Sequence, residues 1–133
     1  MAPFSGSLDA NVLLRLLLND LEDQHQAVLA LFDHTRHQFA VADTAIIEVV
    51  FVLERYYAFT RSQIQEAIEG LMSLPQVNCN RALFEQALPL FCEHSKLSFE
   101  DCCLTVYASL NNAQPLWSFD QKLAQLPGVK LVV

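Results

Sequence analysis

The chain has 133 residues, 53% of them hydrophobic, and a formal net charge of −7 from 8 Lys and Arg against 15 Asp and Glu. That length suits one domain with a sizeable core, and the acidic balance argues against a protein that wraps nucleic acid by charge alone. No apolar run approaches the roughly 20 residues of a membrane span; the longest, 45–53, is closed by Glu54 and Arg55.

Taken in order, short apolar runs alternate with helix-like segments, the α/β pattern. A weak strand is expected over 4–8, helices over 11–18 and 23–37, and a second strand over 38–42. Asp43 or Thr44 is placed to cap a long helix that runs to about residue 59. Ser62 and Gln65 match a capping box for the next helix, which ends near Pro75. A brief strand over 77–79 leads to a helix over 81–94, where Pro89 predicts a kink or break. Ser98 opens a helix that reaches about residue 110. Strands over 115–119 and 129–133 enclose a short helix over 120–124. The order is that of a single domain over 1–133.

Four acids stand out because each lies in or beside an apolar segment: Asp9, Glu48, Asp101 and Asp120. A buried, unpaired carboxylate costs several kcal/mol or gives up its charge, so four of them suggest a shared cation. Asp9 and Asp120 follow expected strands, and Glu48 and Asp101 fall in early turns of expected helices. Ligands of open α/β sheets bind at the carboxyl ends of strands. Each of Asp9, Asp101 and Asp120 also has a capping role open to it. Glu48 has none, and its position i+4 is Val52 rather than Lys or Arg, so no helical ion pair explains it. It is expected to be buried.

Other polar groups are less informative. His25, His34 and His37 share one expected helix without ligand spacing, and Tyr56, Tyr57 and Phe59 are expected to cover the core, with a dimer contact as the alternative. The four cysteines show no CxxC pair and read as reduced, mostly buried small hydrophobes. There is no Gly-rich phosphate loop, no HExxH and no GxSxG. With no basic and apolar secretory signal at the start, the expected location is the cytoplasm.

The stretches LDANVLLRLL, IIEVVFVLERYY, SFEDCCLTVYASL and PLWSFDQKLAQLPGVKLVV, in that order, resemble the PIN-domain family, in particular VapC-type toxins of toxin–antitoxin pairs. The resemblance implies a three-layer α/β/α sandwich with a mainly parallel central sheet and an acidic pocket for Mg²⁺ or Mn²⁺. By motif, Asp9, Glu48, Asp101 and Asp120 are its metal-holding and catalytic acids, and Asn11 and Ser118 the residues that steady them. It further implies an endoribonuclease acting on RNA, a cognate antitoxin and a homodimer. Arg15, Arg55 and Lys122 are candidate contacts to the RNA backbone. Two departures are visible: the first strand is polar (Ser5, Gly6, Ser7), and Lys122 stands where some relatives carry a further acid. A non-catalytic PIN-like interaction module is the alternative. A phospho-acceptor receiver domain would need an acid pair after the first strand, where Asp9 is single.

Overall fold

The computed structural model of the chain describes residues 4–34 and 36–133. The fold is α/β, and every strand pair in it is parallel. The chain divides into two compact units, Met1–Asn80 and Arg81–Val133.

The first unit contains β1 (Gly6–Ser7), α1 (Ala10–Leu17), α2 (Glu22–Phe32), β2 (Phe39–Ala40), α3 (Asp43–Tyr56), α4 (Arg61–Met72) and β3 (Val77–Asn78). Parallel neighbours require crossovers, and a helix pair supplies each: α1 and α2 join β1 to β2, and α3 and α4 join β2 to β3. The sheet order is β1-β2-β3, with Gly6 opposite Phe39 and Phe39 opposite Val77. The strands are short, but backbone bonds extend the ladder on both sides, from Ser5 N–H to Gln38 O and from Leu8 N–H to Ala40 O.

The helices bury narrow stripes. On α3 the buried residues are Ile46, Val49, Val50 and Leu53, the i, i+3, i+4, i+7 set of a one-sided helix. On α4 they are Ile64, Ile68, Leu71 and Met72. With Leu13, Leu14, Phe39 and Val77 they make the core of this unit. Each fully buried Leu or Ile contributes roughly 1.5–3 kcal/mol of transfer free energy.

Several boundaries differ from expectation. The second expected helix ends at Phe32, five residues early, so His34 and His37 lie beyond it and stack with ring centroids 4.3 Å apart; Thr35, within that expected helix, lies outside the described residues. Of the expected cap candidates for α3, neither serves: the N-cap is Ala42, with no side-chain cap bond. Asp43 instead occupies the first turn, where its charge faces the positive end of the helix dipole. The box at α4 belongs to Thr60 and Gln63, not to Ser62 and Gln65; Thr60 Oγ1 accepts from Gln63 N–H at 3.1 Å and Gln63 Oε1 accepts from Thr60 N–H at 2.8 Å. A three-residue match recurs two positions apart in this sequence, and Ala58, with φ of 52°, turns the chain so that Thr60 takes the cap. Tyr56, expected to cover the core or a dimer contact, is exposed.

The second unit holds α5 (Arg81–Glu93), α6 (Phe99–Leu110), β4 (Leu116–Ser118), one 3-10 turn (Leu123–Gln125) and β5 (Val129–Leu131). α5 and α6 pack through Phe84, Phe91 and Phe99: Phe84 stacks on Phe99 at 6.0 Å, and Phe91 meets it edge-on at 5.3 Å. α5 passes through Pro89 without a break. Pro89 and Glu85, whose carbonyl loses its partner there, both face solvent, so water can take the place of the missing N–H. β4 and β5 pair with Leu116 opposite Val129 and Ser118 opposite Leu131. Among the described residues no helix is long and apolar enough to cross a membrane.

Candidate functional site

In the first unit, the N-termini of α1 and α3 follow directly on the carboxyl ends of β1 and β2. Asp9 occupies the first of these positions. Its neighbour Leu8 is buried and tied to Ala40, and Asp9 is the N-cap of α1, its Oδ1 accepting from Val12 N–H at 3.0 Å. That bond fixes the carboxylate while leaving Oδ2 outside the cap. Asp9 and Asn11 line an open cavity of about 270 Å³ together with Arg15, Gln24 and Val28. No side-chain bond joins Asn11 to Asp9, so the steadying group observed is the Val12 amide.

Glu48 is exposed, against the expectation of burial. The reason is rotational. Two positions on from Ile46 is roughly 200° around a helix, so Glu48 points away from the buried stripe. Phe51 shares that outer face and is 47% exposed. A helix can be apolar nearly all round and still bury only one side, and an apolar flank in the sequence does not distinguish the two cases.

Asp43, read in the sequence only as a cap, also stands at this edge of the sheet. Asn80, just past β3, donates from Nδ2 to its Oδ2 at 3.4 Å. The signal available was positional: an acid three residues beyond a strand, beside Asp9 in a parallel sheet.

Arg15 is engaged within the fold. It is buried, and its guanidinium donates to Asp20 Oδ1 at 3.0 Å and to the Tyr57 hydroxyl at 3.4 Å. Tyr57 in turn donates to Asp20 Oδ2 at 2.6 Å. This triad makes Arg15 a brace within the fold. The Tyr57 bond, helped by the Arg15 charge and opposed by partial desolvation, holds the Asp20 carboxyl below its usual range. Arg55, on the outer face of α3, is exposed.

In the second unit Asp101 is the third residue of α6. Ser98 caps the helix, its Oγ accepting from Asp101 N–H at 3.1 Å. Only this half of the expected box forms; the Asp101 carboxylate takes no part in the cap. Thr105 donates to the Asp101 carbonyl at 2.9 Å, which secures the backbone beneath it. Asp120 lies two residues past β4. Its Oδ1 accepts from Lys122 N–H at 2.8 Å and from Leu123 N–H at 3.2 Å, an aspartate turn that launches the 3-10 segment. Ser118 Oγ accepts from Asp120 N–H at 3.0 Å, so it steadies the backbone of Asp120 and not the carboxylate itself.

Asp9 and Glu48 thus belong to one unit, Asp101 and Asp120 to the other. Among the described residues no group of three or more His, Cys, Asp and Glu side chains is gathered as for a metal ion. In kind, the four acids are hard oxygen donors of the sort Mg²⁺ and Mn²⁺ take; Asp9 and Asp120 each keep Oδ2 outside their amide bonds, and the carboxylates of Glu48 and Asp101 cap no helix.

No curated protein matches the chain at a significant level. Among solved structures, it is similar to a toxin-antitoxin complex from Klebsiella pneumoniae at 23% identity, with 97% of each chain covered and a TM-score of 0.36. So distant a likeness carries no argument about fold or activity. The family model for the PIN domain matches residues 7–129, from the first strand to the last. The chain belongs to the PIN-domain family.

Proposed function

We propose that the protein is a metal-dependent endoribonuclease, hydrolysing RNA phosphodiester bonds as the toxin of a toxin–antitoxin pair. The observation that carries this reading is the extent of the family match: it runs over residues 7–129, a span that includes Asp9, Glu48, Asp101 and Asp120, and PIN domains are in general nucleases. The toxin assignment rests on the likeness of the ordered motifs to VapC-type toxins. With it go a cognate antitoxin, a homodimer and a cytoplasmic location.

In this reading the four acids hold Mg²⁺ or Mn²⁺. Such an ion, when bound, supplies a water of lowered pKa and neutralises charge on the scissile phosphate. The chain's own part is positioning. Asp9 offers Oδ2, because Oδ1 is committed to the Val12 amide. Asp120 is aimed by two amides on Oδ1, and the Asp101 carboxylate takes no part in the Ser98 cap, which engages only the Asp101 backbone N–H. Glu48, facing solvent on α3, completes the donor set directly or through water.

Asp9→Asn tests the proposal. Asparagine keeps the N-cap but lowers the charge on the donor set, so cleavage of single-stranded RNA under Mg²⁺ or Mn²⁺ should fall about 100-fold or more, near 3 kcal/mol of transition-state stabilisation. Undiminished cleavage by this variant would rule the assignment out. The alternative, a non-catalytic PIN-like interaction module, draws on the absence of any three-acid group among the described residues. Calorimetry separates the two: no Mn²⁺ binding at millimolar metal favours the module.

A further inference from the structure

We propose that a cavity in the second unit, between the α5–α6 loop and the 3-10 turn, is a subsite for the phosphate backbone of the RNA substrate. This rests on the nuclease reading above and extends it. The cavity has a volume of about 390 Å³, and Lys96, Lys122 and His94 line it. That size falls within the usual range of ligand sites, about 300–1,000 Å³.

The charge is out of keeping with the rest of the chain. The protein is acidic, with only 8 Lys and Arg in 133 residues, yet two lysines border this one hollow and Glu93 is the only acid among its lining residues. Ser95 and Gln125 add neutral hydrogen-bonding groups. Lysine acts on phosphate as a compact point charge with three donors.

The walls are fixed. Leu97 and Leu126 are buried at the base of the two lips. Leu97 N–H donates to His94 O at 3.0 Å, and Leu126 N–H to Leu123 O at 3.0 Å. These short loops therefore present Lys96 and Lys122 from stable backbone, and only the side chains need reorganise on binding.

Position decides in favour of nucleic acid over an acidic peptide. The backbone N–H of Lys122 is bound to Asp120 Oδ1 at 2.8 Å, so one wall of the cavity is tied to a proposed catalytic acid. A strand whose scissile phosphate sits at Asp120 would pass a neighbouring phosphate to Lys122.

The test uses the full chain in an Asp9→Asn background, so that RNA is bound without being cut. Fluorescence anisotropy with a labelled single-stranded RNA is read across a salt series for the parent, Lys96→Gln, Lys122→Gln, the double variant and Lys130→Gln, an exposed lysine elsewhere in the unit. Each phosphate contact to a single strand contributes about 0.7 to the salt slope. The double variant should therefore bind roughly tenfold more weakly at low salt, with a slope shallower by about 1.4. Lys130→Gln should leave the slope unchanged. Inorganic phosphate alone should give no saturable heat in calorimetry. Equal affinity and slope in parent and double variant, with melting curves intact, would overturn the subsite while leaving the nuclease reading standing if the wild type still cleaves RNA. A wild type that neither binds nor cleaves RNA removes both. Lysine-dependent binding of free phosphate or of a poly-glutamate peptide, with RNA binding untouched, assigns the cavity to another ligand and overturns the proposal.

Discussion

Asp9 serves α1 with one carboxylate oxygen and keeps the other, so its structural and chemical roles come apart by substitution. Asp9→Asn should leave stability within about 0.5 kcal/mol of the parent, whereas Asp9→Ala should lose about 1 kcal/mol with the cap; urea unfolding measures both. The capping role was visible in the sequence, because an acid just ahead of an apolar helix is a local signal. The exposure of Glu48 was not. Its neighbours are apolar, and only the identity of the buried stripe, set by what packs on α3, decides which way it points. The Arg15–Asp20–Tyr57 triad was equally hidden, since Tyr57 lies 42 residues from Arg15 and neither end marks the other. Removing its hydroxyl with Tyr57→Phe should raise the Asp20 pKa towards the ordinary value of about 3.9, followed by NMR titration of the carboxyl carbon. Because the folded pKa is the lower one, the triad's stabilisation is present above about pH 4 and is lost as pH falls through the folded pKa. The variant should show less of that loss.

Helix starts were legible to within a residue or two wherever a cap and a periodic stripe agree, as at α1 and α6. They were misread where two caps compete. Thr60 and Ser62 both precede a glutamine by three residues, and the sequence cannot rank them; the turn at Ala58 does. Thr60→Ala should cost about 1 kcal/mol in denaturant unfolding, while Ser62→Ala, already inside the helix, should change stability by less than about 0.5 kcal/mol. A larger loss at Ser62 would contradict the observed cap. The end of α2 was misread for a related reason. Asp33 through Gln38 contains neither Gly nor Pro, so nothing in the sequence announces the stop, and the chain leaves the helix to deliver Phe39 into the sheet.

For the molecule as a whole, the α/β alternation and the family were legible because they rest on the order of many weak signals rather than on any one residue. The candidate site was legible only as that order. Its premise of buried acids gives way to four acids that are exposed or half-buried, two of them, Asp9 and Asp120, bonded to helix or turn amides. A cation bound to them would act on the entire folding equilibrium. At about 100 times its dissociation constant, Mn²⁺ should stabilise the fold by about 2.7 kcal/mol, seen as a rise in melting temperature that Asp101→Asn abolishes. No Mn²⁺-dependent rise in the wild type would count against a metal at these residues.

Cys102 and Cys103 follow Asp101 directly on α6 and are 0% and 6% exposed, and neither is part of a disulfide. A thiol reagent reaches them only when that helix opens, whereas Cys79 and Cys92 are partly accessible from the start. Their slow alkylation is thus a built-in clock for the integrity of the segment that carries Asp101. It runs without any label and without any substrate.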